Sequence, residues 1–265
     1  MTGAPGPAPA GAPRGRILYG GTFDPPHLRH VEVALAGLRL LSGRVDGVDF
    51  IPSARPPHKP GRGVLPFGLR CALMEAALDD PELQERARQA AGGGGGTRPR
   101  APILRCNRME GERHGPSYTW DTLAAFREAA PGVTPYFLLG GEDYALLPTW
   151  RRGLELPRLC RLLVAPRGDV ADAGAFCAVT LRNWPDAREA APLGASGPGL
   201  ETAPRMELPG GGEAVLLPLA PEAVSSSEIR AAWLAGQAPA GVPEKVVQLL
   251  EQHREAVAAA WREER

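Results

Sequence analysis

The chain has 265 residues, 43% of them apolar, and its 30 basic residues balance 30 acidic ones. That length suits one large domain, or one domain with insertions, and zero net charge leaves no overall field to draw in nucleic acid or an anionic membrane, so an anion site has to be local. No run approaches the roughly 18 apolar residues that would span a bilayer, the start lacks a basic-then-apolar leader pattern, and Cys71, Cys106, Cys160 and Cys177 show no C-x-x-C spacing; we expect a cytoplasmic protein with structural thiols.

Residues 1–14 are almost all Gly, Ala and Pro and read as a disordered tail, with one domain over 15–265. Ile17-Leu18-Tyr19 is a strand ending in the turn Gly20-Gly21. Behind Thr22-Phe23-Asp24-Pro25-Pro26, His27 and His30 open a helix whose apolar face, Val31 to Leu41, runs to about Ser42. A strand follows over Val45 to Ile51, then a loop rich in proline and basic residues up to Pro66, then a helix from Phe67 beyond Leu78. Residues 82–101 read as a short charged helix running into Gly92 to Gly96, a flexible insertion set at about 84–101 on which the core does not depend.

Ile103 to Cys106 is the next strand, and Ser117 begins a helix with Asp121 in its first turn. The strand Pro135 to Leu139 ends in Gly140-Gly141 before a helical stretch reaching Trp150, and Leu159 to Ala165 is a further strand. Residues 168–212 show weak periodicity and read as a second flexible insertion, with a helix near 171–178. Ala214 to Leu219 is the last strand, followed by a helix over Ser226 to Leu234 and one long helix over Pro243 to Arg262. Alternating strands and helices indicate an α/β fold, a doubly wound and mostly parallel sheet, in which ligands sit beyond the carboxyl ends of the strands.

Four polar clusters follow strands: Gly20 to His30, Pro56 to Lys59, Gly140 to Trp150 and Ser225 to Arg230. A helix start offers unpaired N–H groups and the positive end of the dipole, so the first cluster suits a phosphate. His27 and His30, three apart, then face that phosphate; as an isolated H-x-x-H they also read as a solvated pair. Ser225-Ser226-Ser227 with Arg230 suits a polyphosphate grip or a plain N-cap. Trp150 and Trp120 read as core or as stacking platforms. Arg70 and Arg167 carry no signal that separates a ligand from a surface arginine, and without H-E-x-x-H or a third ligand the histidines make no metal site.

Taken in order, Gly20-Gly21-Thr22-Phe23-Asp24-Pro25, His27, His30, Pro56-Pro57-His58-Lys59, Arg70, Met74, Ser117-Tyr118-Thr119-Trp120-Asp121-Thr122-Leu123, Gly140 to Trp150 and Val224 to Arg230 resemble the bacterial nicotinate mononucleotide adenylyltransferases. These belong to the nucleotidyltransferases with an H-x-G-H signature on a Rossmann-like fold. The resemblance implies transfer of AMP from ATP to nicotinate mononucleotide, giving deamido-NAD and pyrophosphate, with Mg²⁺ bridging the triphosphate. It puts His27 and His30 on the ATP phosphates, Ser226, Ser227 and Arg230 on the β and γ phosphates, Trp150 against the nicotinate ring, and Tyr118 and Thr119 at the nicotinate carboxylate, with His58 and Lys59 bordering the site. Gly20, Gly21, Thr22 and Phe23 line the ATP side. Two positions depart from the family pattern: Arg29 stands for the glycine between the histidines, and either shifts the adenine or swings outward, while Gly140-Gly141-Glu142-Asp143 leaves two acids, Glu142 and Asp143, for the ATP ribose. Sister adenylyltransferases using nicotinamide mononucleotide or phosphopantetheine, and a non-catalytic nucleotide-binding module, are the alternative readings.

Overall fold

The structure, a computed structural model, describes residues 15–56, 63–92, 102–194, 202–221 and 224–262. In chain order it runs β1 (Gly15–Gly21), α1 (Leu28–Leu40), β2 (Val45–Pro52), α2 (Phe67–Leu78), α3 (Pro81–Ala90), β3 (Leu104–Cys106), α4 (Thr119–Ala129), β4 (Thr134–Gly140) and α5 (Gly141–Ala145). It continues with β5 (Arg161–Ala165), α6 (Ala173–Asn183), β6 (Arg188–Leu193), β7 (Ala203–Leu208), β8 (Gly212–Leu216), α7 (Ser226–Leu234), α8 (Glu244–Gln252) and α9 (Arg254–Arg262). Side chains alternate across a strand, and here both faces are apolar: Ile17, Leu138 and Leu163 join one buried cluster, Leu18, Leu139 and Val164 another. Such strands need helices on both sides, as a parallel sheet provides.

The sheet order is β3-β2-β1-β4-β5-β8-β7-β6. From β3 to β8 every pairing is parallel; the last two pairings, β8 with β7 and β7 with β6, are antiparallel, so β7 alone runs against the rest. The chain winds outward from β1 to β2 and β3 on one side and from β4 to β5 on the other, so the switch point where a ligand crevice opens lies between β1 and β4. A third apolar cluster, with Leu73, Trp233, Leu250 and Trp261, fastens α2, α7, α8 and α9 together. Among the described residues no helix is long and apolar enough to cross a membrane.

Three expectations are corrected. The charged helix expected from residue 82 is present as α3, but from residue 84 on it is no flexible insertion that the core can do without, because Leu83 and Ala87 are buried against the α1 side of the core. The Gln84 amide also holds the edge strand. It donates to the carbonyls of Leu78 and Leu104 at 3.1 and 2.8 Å and accepts from the N–H groups of Ile103 and Leu104 at 3.0 and 3.2 Å. Residues 168–212 hold α6, β6 and β7, which extend the sheet; their pattern is weak because β6 is an edge strand with mostly exposed side chains. The expected long terminal helix is two, because the backbone at His253 (φ −110°, ψ 23°) leaves helical values and α9 turns back toward α7. The expected tail over 1–14, and the glycines 93–96, lie outside the described residues.

Candidate active site

Beyond the end of β1 the chain makes a tight loop, Thr22 to Pro26. Phe23 there has φ 50°, a left-handed value that costs a non-glycine residue roughly 1–3 kcal/mol. Its ring is caged edge-on by Tyr19, His30 and Phe50, at centroid separations of 5.5, 4.9 and 5.8 Å. Gly21 is required beneath it, since a Cβ would meet the Phe23 ring at 2.9 Å.

Side chains from three helices clamp this loop, those of α2 and α7 by its backbone and that of α9 through the Asp24 carboxylate. Arg70 of α2, only 1% exposed, donates to the carbonyls of Leu65, Thr22 and Ser53 at 2.9, 2.8 and 2.6 Å. Arg230 of α7 donates to the Asp24 carbonyl at 2.8 Å and to Ser227 Oγ at 2.9 Å, and Ser226 Oγ donates to the Pro25 carbonyl at 3.1 Å. The buried Asp24 carboxylate accepts from Trp261 Nε1 of α9 at 3.1 Å and from the Leu65 N–H at 3.4 Å. Burial pushes that carboxyl upward, opposed by the indole bond and the charges of Arg230 and Arg70.

His27 is the N-cap of α1 and His30 its third residue, so the two rings stack, with centroids 3.7 Å apart. The His27 N–H donates to His30 Nδ1 at 3.2 Å, which fixes the neutral His30 tautomer with its proton on Nε2. His27 is 3% exposed, and its Nδ1 has no hydrogen-bond partner among the described residues. Burial, then the charges of Arg167 and Arg29, bring His27 down to about 4. His30 is held well below its usual range by burial, by His27 and by Arg167. Both imidazoles are therefore neutral near pH 7, and an entering anion would favour their charged forms.

These groups border a cleft of about 300 Å³ lined by Gly20 to Asp24, His27, Arg29, His30, Glu142, Asp143, Arg167, Ser225, Ser226, Ser227 and Arg230. Arg167 pairs with Glu142 at 3.4 Å. The Arg29 guanidinium bonds to the Ala220 carbonyl and to Glu32, with only 13% of its side chain exposed, so it does not swing out to solvent.

A second cleft of about 650 Å³ adjoins the first, and both are bordered by Gly20, Gly21, Thr22 and Asp143. Its walls are Ile51, Phe137, Leu139, Trp150 and the start of α4 at Tyr118 and Thr119. Trp150 caps a short 3-10 turn over Leu147–Thr149, packed so closely that a Cβ on Gly153 would strike the Leu147 carbonyl. Two wall segments are laced together: Arg55 N–H donates to Ser117 Oγ at 3.0 Å, Ala54 N–H to Glu110 Oε2 at 3.2 Å, and Thr122 Oγ1 to Glu110 Oε1 at 2.6 Å. Trp120 stands outside the lining, with the Arg152 guanidinium 3.4 Å from its ring centroid.

The structure thus brings Gly20, Gly21, Thr22, Phe23, His27, His30, Glu142, Asp143, Ser226, Ser227 and Arg230 to one cleft and Tyr118, Thr119 and Trp150 to the next. His58 and Lys59 lie outside the described residues. Sequence reasoning missed Glu110 and Trp261, and it gave no role to Asp24 and Arg70, which stand in the motifs quoted above. Arg70 had one readable signal, as a charge among the apolar residues of α2, and it is no surface arginine. For a metal, no group of three or more His, Cys, Asp or Glu converges among the described residues. The first cleft offers arginines, imidazoles and hydroxyls, a donor set that fits phosphate oxygens.

Similarity to known proteins agrees with this geometry. A curated protein of Pelobacter propionicus, named "Probable nicotinate-nucleotide adenylyltransferase", is 35% identical over 150 residues, 57% of this chain and 59% of that one. One of the same name from Trichlorobacter lovleyi is 37% identical over 154 residues, 58% of this chain and 62% of its own. The chain therefore spans about three fifths of these curated relatives' length. Among solved structures, a Plasmodium falciparum nicotinic acid mononucleotide adenylyltransferase complexed with NaAD superposes with a TM-score of 0.61, covering 92% of this chain and 97% of that one at 15% identity, a likeness of fold. The sequence model of the cytidylyltransferase-like family matches residues 18–232. With that match running from β1 into α7, across the whole parallel sheet and both clefts, the chain belongs to the cytidylyltransferase-like family.

Proposed function

We propose that this protein transfers AMP from ATP to nicotinate mononucleotide, yielding deamido-NAD and pyrophosphate. The observation that carries the reading is the pair of adjoining clefts, one rich in anion donors and one aromatic, sharing the Gly20 to Thr22 backbone. In the reaction a phosphate oxygen of the mononucleotide forms a bond to the α-phosphorus of ATP as the bond from that phosphorus to the α,β-bridging oxygen breaks. The electron pair leaves with pyrophosphate. No protein nucleophile is required, only alignment and stabilisation of the developing charge.

The triphosphate lies along the first cleft. His30 donates through Nε2–H, His27 adds its imidazole, and the N-terminal amides of α1, Ser226, Ser227 and Arg230 hold the outer phosphates. In the state described, Ser226 and Arg230 bond the carbonyls of Pro25 and Asp24, and the single Ser226 hydroxyl proton has to leave the Pro25 carbonyl to reach a phosphate. Asp143, which borders both clefts, is the acid we assign to the ATP ribose. Mg²⁺ enters as part of the substrate, on the phosphate oxygens, and supplies charge neutralisation there.

The mononucleotide occupies the larger cleft, its ring against Trp150 and its carboxylate toward the backbone N–H groups that open α4 at Tyr118 and Thr119. His58 and Lys59 belong to the proposal through the family pattern. Pyrophosphate release from ATP, nicotinate mononucleotide and Mg²⁺ tests the reading. Release should exceed that of a His27→Ala control and fall when nicotinamide mononucleotide replaces the nicotinate form; no release above the control would sink the proposal.

A further inference from the structure

Arg151 follows Trp150 in the turn that walls the larger cleft, and among the described residues it is the only cationic side chain in the lining. Its guanidinium lies 4.9 Å from the centroid of the Tyr118 ring and donates through Nη1 to Asp121 Oδ2 at 2.6 Å, so it joins the Trp150 turn to the first turn of α4. The other charged residues of the described lining are two carboxylates, Glu110 and Asp143. An acidic ligand entering this cleft therefore meets one cation, and meets it beside Trp150 and Tyr118.

Position decides which acidic group that is. The phosphate of the mononucleotide has to reach the α-phosphorus of ATP, so it belongs at the border the two clefts share, Gly20, Gly21, Thr22 and Asp143. Arg151 lines the larger cleft and not the first, at the end formed by Trp150 and Tyr118, which leaves it facing the substituent on the nicotinate ring. The Tyr118 N–H donates to the Pro116 carbonyl at 3.1 Å, so the start of α4 has only part of its donor capacity to give a carboxylate. A guanidinium presents five N–H donors in a planar fork, and the bond to Asp121 uses one of them. That ion pair joins two partly exposed side chains, a kind that contributes little and yields readily to a second carboxylate. A carboxylate offers the fork two charged oxygens, whereas a carboxamide offers one neutral oxygen.

We propose that Arg151 is a specificity-determining ligand of the mononucleotide: its fork bonds the ring carboxylate of nicotinate mononucleotide, so that this chain prefers the acid to the amide. This rests on the larger cleft being the mononucleotide subsite of the proposed reaction.

The test is calorimetric titration of the full chain with nicotinate mononucleotide and, separately, nicotinamide mononucleotide, using wild type, Arg151→Gln, Arg151→Lys and Arg151→Gln combined with Asp121→Asn. Arg151→Gln should weaken the nicotinate form at least tenfold while changing the nicotinamide form less than twofold, and Arg151→Lys, which keeps the charge without the fork, should fall between. The double variant separates a bond to substrate from mere neutralisation of Asp121: it should stay close to Arg151→Gln, and recovery of the wild-type preference would show that Arg151 only cancels Asp121, which overturns the proposal. Equal weakening of both forms, or unchanged affinity for the nicotinate form, overturns it as well, as does a wild type that binds the nicotinate form no better than the nicotinamide form. A wild type that shows the Arg151-dependent preference yet releases no pyrophosphate with ATP sinks the proposed reaction and leaves the Arg151 contact standing.

Discussion

A neutral, buried His27 makes the stability of this protein sensitive to mild acid. In the folded chain the imidazole takes a proton only near pH 4, while in the unfolded chain it does so near its ordinary 6.5. Between those values the unfolded state binds more protons, so unfolding becomes easier as pH falls through that window. Above 6.5 the full contribution is present; below about 4 both states are protonated and the loss from this group stops. At ~1.4 kcal/mol for each tenfold difference in proton affinity, the loss between pH 7 and pH 4 comes to about 3 kcal/mol. His27→Gln keeps a polar side chain at that place without a titrating group. Urea unfolding of both proteins at pH 7, 6, 5 and 4 should show the wild type losing more stability than the variant, with the gap growing toward about 3 kcal/mol. Parallel stability profiles for the two proteins would refute a neutral buried His27.

Three further outcomes follow from contacts described above. Trp150→Ala should weaken nicotinate mononucleotide by about 1–3 kcal/mol, the range for ring stacking on an aromatic side chain, and leave ATP affinity within twofold; equal weakening of both in calorimetry would return Trp150 to a packing role. Arg70→Lys keeps the charge but cannot reach the carbonyls of Leu65, Thr22 and Ser53 together. Losing two bonds from a charged donor should destabilise the protein by about 3 kcal/mol in urea, and a change below about 1 kcal/mol would show that the clamp is dispensable. Gln84→Leu removes the side-chain bonds that hold β3, so the amides of Ile103 and Leu104 should exchange faster with solvent while nucleotide affinity stays unchanged; undiminished protection would refute that role.

What could be read in the sequence was local. The strand, double glycine and histidine-headed helix lie within one stretch, and apolar periodicity marks β1, α1, β2, β4 and α7 close to their observed bounds. The pieces of the site that escaped depend on distant partners: Arg70 meets Thr22 across 48 residues and Trp261 meets Asp24 across 237. No spacing rule pairs such residues. Gln84 escaped for another reason, because its partners are backbone groups and a polar side chain leaves no trace in a hydrophobic period. The hairpin of β6 and β7 was hidden by the exposed side chains of its edge strand, Pro192 among them.

The Trp261 to Asp24 bond also sets an order in time. A ribosome adding 5–20 residues per second needs roughly 10–50 seconds to get from Asp24 to Trp261. For most of that interval the phosphate loop exists as a nascent strand-end whose carboxylate has no indole and whose carbonyls await Arg230, made 206 residues after Asp24. The parallel sheet can assemble before then. The clamp on this loop is therefore completed only after all eight strands of the sheet have been synthesised.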